Sequence, residues 1–380
     1  MNYTIKKILF LTGTRADYGK MKSIMRAVDD TEQFEMFVFV TGMHMHTEYG
    51  YTCNEILKDG YKNVFMYINQ RAGMGSAMDM ILANTINGFS AYVHEIKPDL
   101  IIVHGDRLEA LAATIVGAMN NTLVGHIEGG EVSGTIDESI RHAITKLAHI
   151  HFVANKESKK RIQQLGEHES RIRIIGSPDI DIMLSPNLPS WEDAKARYEI
   201  EFNEFGIAVF HPITTSYNNM SRYAKIFTES LLLSNKNFII IHPNNDLGRE
   251  FIVEEYDRLS KDKRFRIFAS VRFEYFLTML KQAGFIIGNS SAGIREASVY
   301  GIPAIDIGDR QQNRYVPGED IKHCEYDSST ILKALDACVK KEVMGKSVYG
   351  SGKSKERFMT IIEDCDFWKT PLQKHFVDND

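Results

Sequence analysis

What this 380-residue sequence lacks narrows its chemistry first. Its four cysteines, Cys53, Cys324, Cys338 and Cys365, contain no C-x-x-C pair, which excludes a zinc ribbon and a thioredoxin-type redox motif. Cysteines this sparse and unpatterned fit a reducing cytoplasm. Positive charge is not in excess: 45 Lys and Arg stand against 50 Asp and Glu, for a net charge of −5. Nucleic-acid binding through bulk charge is therefore not expected, whereas a nucleotide ligand needs only a few placed cations. No apolar run approaches the roughly 18 residues of a membrane span. Near the start, Lys6-Lys7 precede Ile8-Leu9-Phe10-Leu11, but this run is too short for a signal peptide and has no cleavage site. Neither G-x-G-x-x-G nor a Walker A lysine loop occurs, which argues against a dinucleotide cofactor. Repeats and low-complexity segments are also missing. A soluble cytoplasmic protein is the expectation.

What is present is an ordinary globular balance, 43% hydrophobic and 25% charged. The length suits two domains. Apolar runs at Lys7–Leu11, Met36–Thr41, Leu100–His104, Leu123–Ile127, His151–Ala154 and Arg173–Ile175 alternate with helical patterns. They are continuously apolar rather than alternating, as strands buried on both faces of a parallel sheet should be. Ser185–Ser190 (SPNLPS) holds two of the nine prolines and reads as a linker. Beyond it the pattern restarts, with strands at Ile207–Phe210, Phe238–Ile241, Arg266–Ala269, Phe285–Ile287 and Ala304–Ile307, and helices at Glu274–Ala283 and Ile294–Tyr300. The prediction is an α/β protein with two Rossmann-like domains, 1–184 and 190–365, and an interdomain cleft. A closing helix over Ser354–Asp364 is expected to pack back on the first domain. Ligands of such sheets bind beyond the carboxyl ends of the strands.

Polar clusters stand at those ends. Thr12-Gly13-Thr14-Arg15-Ala16-Asp17-Tyr18-Gly19-Lys20 follows the first strand; Arg15 can neutralise a phosphate, and Asp17 suits either function or a helix cap. His104-Gly105-Asp106-Arg107 and His126-Ile127-Glu128-Gly129-Gly130-Glu131 follow the next strands, and Asp137 opens the following helix. Adjacent parallel strands bring Asp106 and Glu128 together, and crowded carboxylates suit general acid–base work. Taken singly, Asp106 with Arg107 also reads as a turn and Asp137 as a cap. A metal site on His126, Glu128 and Glu131 lacks any recognised ligand spacing. In the second half, His211 and His242 each precede a proline after a strand. Gly288-Asn289-Ser290-Ser291-Ala292-Gly293-Ile294-Arg295-Glu296 reads as strand, hydroxyl turn and helix, a place for a pyrophosphate with Glu296 near ribose hydroxyls. Arg310 adds another phosphate cation.

Together these motifs resemble the UDP-N-acetylglucosamine 2-epimerase family, over nearly the whole chain: TGTRADYGK, TGMHM, HGDRLEALA, HIEGGEVSGTIDESIRHAITKLAHIHFVAN, IGSPDIDIM, HPNND, GNSSAGIREA and GDRQQNR. The likeness is greatest to the hydrolysing branch, which makes N-acetylmannosamine for sialic acid synthesis. The resemblance implies a GT-B fold, no cofactor and no metal. UDP-sugar and UDP would be the small-molecule partners, and the enzyme would be a homodimer or homotetramer. It assigns Asp106, Glu128 and Asp137 as catalytic carboxylates and His211 as a histidine assisting the leaving group. Arg15, Ser290, Ser291, Glu296 and Arg310 would bind UDP, with Lys20, Arg107 and Asn244 as further substrate-binding positions. The acid at Asp137 suits the hydrolysing branch. Relatives acting on UDP-2,4-diacetamido-2,4,6-trideoxyglucose share these motifs, so that sugar is an alternative substrate. A GT-B glycosyltransferase and a nucleotide-sugar sensor are the competing classes.

Overall fold

The computed structural model describes residues 5–70, 77–133, 136–311, 320–338 and 349–378. They form two compact units, one within residues 1–131, 137–184 and 348–380, the other within 132–136 and 185–347.

In the first unit the strands are β1 (Lys6–Thr12), β2 (Phe34–Val40), β3 (Val64–Met66), β4 (Leu100–His104), β5 (Leu123–Ile127), β6 (Ile150–Val153) and β7 (Ile172–Ile174). Among the described residues they make one parallel sheet in the order β3-β2-β1-β4-β5-β6-β7. The central strands are buried on both faces, which is why they read as unbroken apolar runs. Their side chains alternate between two cores. Ile8, Phe10, Leu100 and Ile102 pack with the Arg15–Asp29 and Ser354–Glu363 helices. Leu9, Leu11, Ile101 and Val103 pack with the Met78–Ile96, Leu108–Met119 and Ile136–Leu147 helices. The tail helix is anchored within this unit: the Asp181 carboxylate accepts the Ser354 and Lys355 N–H groups at 2.9 and 2.8 Å, satisfying donors that a helix start leaves open.

The second unit contains β8 (Gly206–Val209), β9 (Phe238–Ile241), β10 (Phe265–Phe268), β11 (Phe285–Gly288), β12 (Ala304–Ile307) and β13 (Ile321–Cys324), parallel in the order β10-β9-β8-β11-β12-β13. Phe210, Phe227, Phe238, Ile240 and Leu231 lead its core, against the Met220–Leu233 and Ser328–Asp336 helices. Each sheet reverses its build direction once, between β1 and β4 and between β8 and β11. Those two switch points leave crevices where neighbouring connections diverge.

Two strands were not expected from sequence. Both β3 and β13 are edge strands with half-exposed residues, so neither carries a continuous apolar run. The helix expected over Ile294–Tyr300 is instead a 3₁₀ turn, Ser291–Gly293, followed by a four-residue helix, Glu296–Val299. The Gly293 N–H donates to the Ser290 carbonyl and the Arg295 N–H to the Ser291 carbonyl, so the chain tightens before it turns helical.

Candidate active site

In the first unit, the candidate residues lie beyond β1, β4 and β5, around the switch point. Thr14 caps the Arg15–Asp29 helix in a capping box with Asp17, whose carboxylate also accepts the Gly13 N–H at 3.1 Å and the Thr12 hydroxyl. Asp17 therefore holds the loop together, the capping role that sequence left open. Arg15 next to it donates from Nε to Glu55 at 3.1 Å.

The β4 and β5 loops start from paired strands, with the Gly105 N–H on the Ile127 carbonyl at 2.9 Å. Buried His126 fastens them again, Nε2 meeting the Gly105 carbonyl at 2.8 Å; burial holds its pKa down to about 3, so it is a neutral strut. Glu128 follows with φ +71, a left-handed conformation costing a non-glycine residue on the order of 1–3 kcal/mol. It brings the carboxylate to within 3.1 Å of His104 Nε2 and 3.5 Å of Lys20 Nζ. The Lys20 ammonium lies a further 3.9 Å from buried Asp179, so among the substrate-binding positions it is engaged by two carboxylates.

Arg141 organises the rest. It is 2% exposed, four residues after Asp137 on the Ile136–Leu147 helix, and therefore on the same face. Its guanidinium donates to Asp106 and, at 3.1 Å, to the Glu131 carbonyl. Burial opposes its charge, but Asp106, then Glu131, Glu128 and Asp137, more than offset this and raise its pKa above the ordinary value. The three predicted catalytic carboxylates thus share the field of one buried cation that sequence reasoning did not select. Arg107 stands at the N-cap position of the Leu108–Met119 helix without a side-chain capping bond, its Nε 4.0 Å from Glu109. Among the described residues, His126, Glu128 and Glu131 do not gather as metal ligands; the one group that does, Asp364, Cys365 and Asp366, is exposed on the tail.

In the second unit, His211 follows β8 at the switch point. Its Nδ1 accepts the Asn244 N–H at 3.1 Å, so the neutral ring carries its proton on Nε2. The Asn244 side chain donates to Asp246 at 2.5 Å. Ser290 and Ser291 lie beyond β11, the Ser290 hydroxyl accepting the Ala292 N–H at 3.3 Å. Glu296 is 3% exposed at the start of the short helix. Arg310, beyond β12, donates to the Asn289 carbonyl at 3.1 Å. Because the helix after Ser291 is short, its dipole adds little at the serines; the hydroxyls, the N–H groups and Arg310 are the groups here with donors to offer an anion. His242 follows β9 and is half-buried; burial and then Arg249 hold its pKa below the ordinary value.

The first unit thus offers acids and bases around a cation, and the second a histidine N–H, serine hydroxyls and an arginine with the chemistry to receive an anion. Comparison with known proteins bears on both. A family model described as UDP-N-acetylglucosamine 2-epimerase matches residues 26–363. A UDP-N-acetylglucosamine 2-epimerase of Neisseria meningitidis serogroup B is 45% identical over 98% of this chain and 99% of its own. A UDP-N,N'-diacetylbacillosamine 2-epimerase (hydrolyzing) of Legionella pneumophila is 31% identical over 97% and 99%. Among solved structures, the Methanocaldococcus jannaschii UDP-GlcNAc 2-epimerase in complex with UDP-GlcNAc and UDP superposes with a TM-score of 0.80 at 21% identity, over 94% of this chain and 99% of that one. That likeness shows the fold class, two Rossmann-like domains of GT-B type.

Proposed function

This chain belongs to the UDP-N-acetylglucosamine 2-epimerase family, and from that premise we propose that it is the hydrolysing enzyme, converting UDP-GlcNAc and water to N-acetylmannosamine and UDP. The observation that carries the reading is the set of three carboxylates, Asp106, Glu128 and Asp137, in the field of buried Arg141. A glycosyltransferase needs an acceptor but has no need of such a set, and a sensor has no need of it either.

The chemistry follows from the substrate. The C2 hydrogen of a pyranoside has no carbonyl beside it and is not acidic. Departure of UDP from C1 creates oxocarbenium character and makes that hydrogen removable. In the proposed first step the C1–O bond breaks, UDP takes the electron pair, and a carboxylate takes the C2 proton, leaving 2-acetamidoglucal. Water then adds at C1 while a proton returns to C2 from the opposite face, which inverts C2. Arg15, Arg310, Ser290, Ser291 and the His211 Nε2–H stabilise the departing pyrophosphate, and Glu296 and Asn244 hold the nucleoside. Asp106, Glu128 and Asp137 supply the base and the acid. Lys20 and His104 orient Glu128, and Arg107 stands beside Asp106.

The relatives named as hydrolysing enzymes for UDP-N,N'-diacetylbacillosamine support a second reading, the same reaction on the 2,4-diacetamido-2,4,6-trideoxy sugar. Sialic acid synthesis is the proposed setting for the first reading; a polysialic acid biosynthesis protein of Escherichia coli is 31% identical over 87% of this chain and 86% of its own. The test is product identity with each UDP-sugar in turn. Free N-acetylmannosamine and UDP from UDP-GlcNAc support the first reading. UDP-N-acetylmannosamine accumulating instead places the enzyme in the non-hydrolysing branch, and turnover of the diacetamido sugar alone selects the second reading.

A further inference from the structure

Asn289 is polar, fully buried, and placed where β8 and β11 part at the second switch point. Its side-chain Oδ1 accepts the His211 N–H at 2.7 Å, and its Nδ2 donates to the His211 carbonyl at 2.9 Å. The amide thus replaces the strand neighbour that His211 loses as the sheet opens. The Asn289 N–H donates to the Val209 carbonyl at 3.2 Å. Its own carbonyl accepts from Arg310 Nη1 at 3.1 Å and from Gln311 Nε2 at 2.8 Å. Only a side chain with one donor and one acceptor at this length can clamp both backbone groups of His211; aspartate offers two acceptors, and leucine neither. Gly288 makes the approach possible. Its φ is +134, and a Cβ there would stand 1.9 Å from the Val209 carbonyl oxygen.

We infer that Asn289 is a positioning residue for the reaction, setting the proton-donating histidine and the phosphate-binding arginine from a single buried point. The clamp fixes the His211 backbone so that ring Nδ1 meets the Asn244 N–H and Nε2–H is the donor presented to the leaving group. The same residue's carbonyl orients the Arg310 guanidinium. The inference rests on the proposed reading of His211 and Arg310 as leaving-group residues. An asparagine that merely closed the sheet would affect stability but not the His211 tautomer or the step His211 serves.

The experiment combines ¹⁵N-histidine NMR of the free protein with kinetics of UDP release. The His211 signal is assigned by its loss in His211→Ala. In the wild-type protein His211 is expected as a single neutral tautomer protonated on Nε2; finding the proton on Nδ1 overturns the inference before any variant is made. In Asn289→Ala the single tautomer is lost and kcat falls on the order of 10²-fold, the usual penalty for a misplaced catalytic group. UDP affinity stays within about tenfold, a change of roughly 1.4 kcal/mol. In the His211→Ala background, Asn289→Ala, which keeps the backbone carbonyl that holds Arg310, costs no further kcat. Equal losses in both backgrounds, or an unchanged tautomer, overturn the inference. Asn289→Asp keeps the size and one acceptor, and it carries the test if the alanine variant does not fold. Should the wild-type protein release no UDP from either sugar, the functional reading fails, while the tautomer measurement still decides whether Asn289 positions His211.

Discussion

Arg141 donates to Asp106 and is held charged also by Glu128 and Asp137. Asp106, Glu128 and Asp137 were legible because each follows a strand or opens a helix. Arg141 lies in the same DESIRH stretch, yet an arginine on a helix ordinarily reads as part of a solvated face. Its importance comes from burial under the Glu131 loop, which no local pattern announces. Removing it takes from the Asp106 carboxylate its buried ion-pair partner. Arg141→Met is expected to abolish turnover and to destabilise the protein by about 3–5 kcal/mol, the range for breaking a buried ion pair. A denaturant titration checks this, and a loss below 1 kcal/mol would contradict it. Asp106→Asn keeps the shape while removing the charge. Its kcat should fall about 10²–10⁴-fold with UDP affinity held near wild type; equal loss of both in calorimetry and kinetics would instead make Asp106 a binding or structural group.

At the scale of elements, the strands that build the two switch points were readable as apolar runs, while the edge strands and the serine turn were not. The turn departs from the expected helix because the Ser290 hydroxyl accepts the Ala292 N–H locally. Further down the chain, the tail acts on the Ile136–Leu147 helix. Lys374 donates to the carbonyls of Thr145, Lys146 and Ala148, at 3.1, 2.8 and 2.8 Å, at the end of the Ile136–Leu147 helix. It also lies 2.6 Å from buried Glu167. The helix that begins with Asp137 and carries Arg141 is therefore closed by a lysine more than 200 residues away in sequence, a partner that local capping patterns cannot reveal. Lys374→Met is expected to speed amide exchange in the last turn of that helix and in the tail, leaving β1 and β4 as slow as before. Hydrogen-exchange mass spectrometry decides; unchanged protection at residues 144–148 would show that the cap contributes nothing.

For the whole molecule, buried histidines predict how stability depends on pH. Burial holds His44 and His126 down to about 3 and His149 to about 4, so all three are neutral in the folded protein at pH 7. The unfolded chain binds their protons near pH 6.5, so their contribution is complete above that value and is lost as pH falls toward 4 and then 3. Despite burial, hydrogen bonds from His151, Lys146 and Lys374 bring Glu167 down to about 2, adding a loss as pH falls from about 4.5 toward 2. Asp17, raised by burial, works in the opposite direction. The melting temperature should therefore decline below pH 6.5; a constant value from pH 7 to 4.5 would contradict these assignments.

The proposed function assigns the leaving group to Arg15, His211, Ser290, Ser291 and Arg310, and the proton transfers to Asp106, Glu128 and Asp137. Its central claim is that UDP leaves by elimination across C1 and C2. The most direct measurement is NMR of the products formed from UDP-GlcNAc in D₂O. The account predicts UDP and free N-acetylmannosamine with one solvent deuteron at C2. N-acetylmannosamine with its original C2 hydrogen, or a product still joined to UDP, would contradict it.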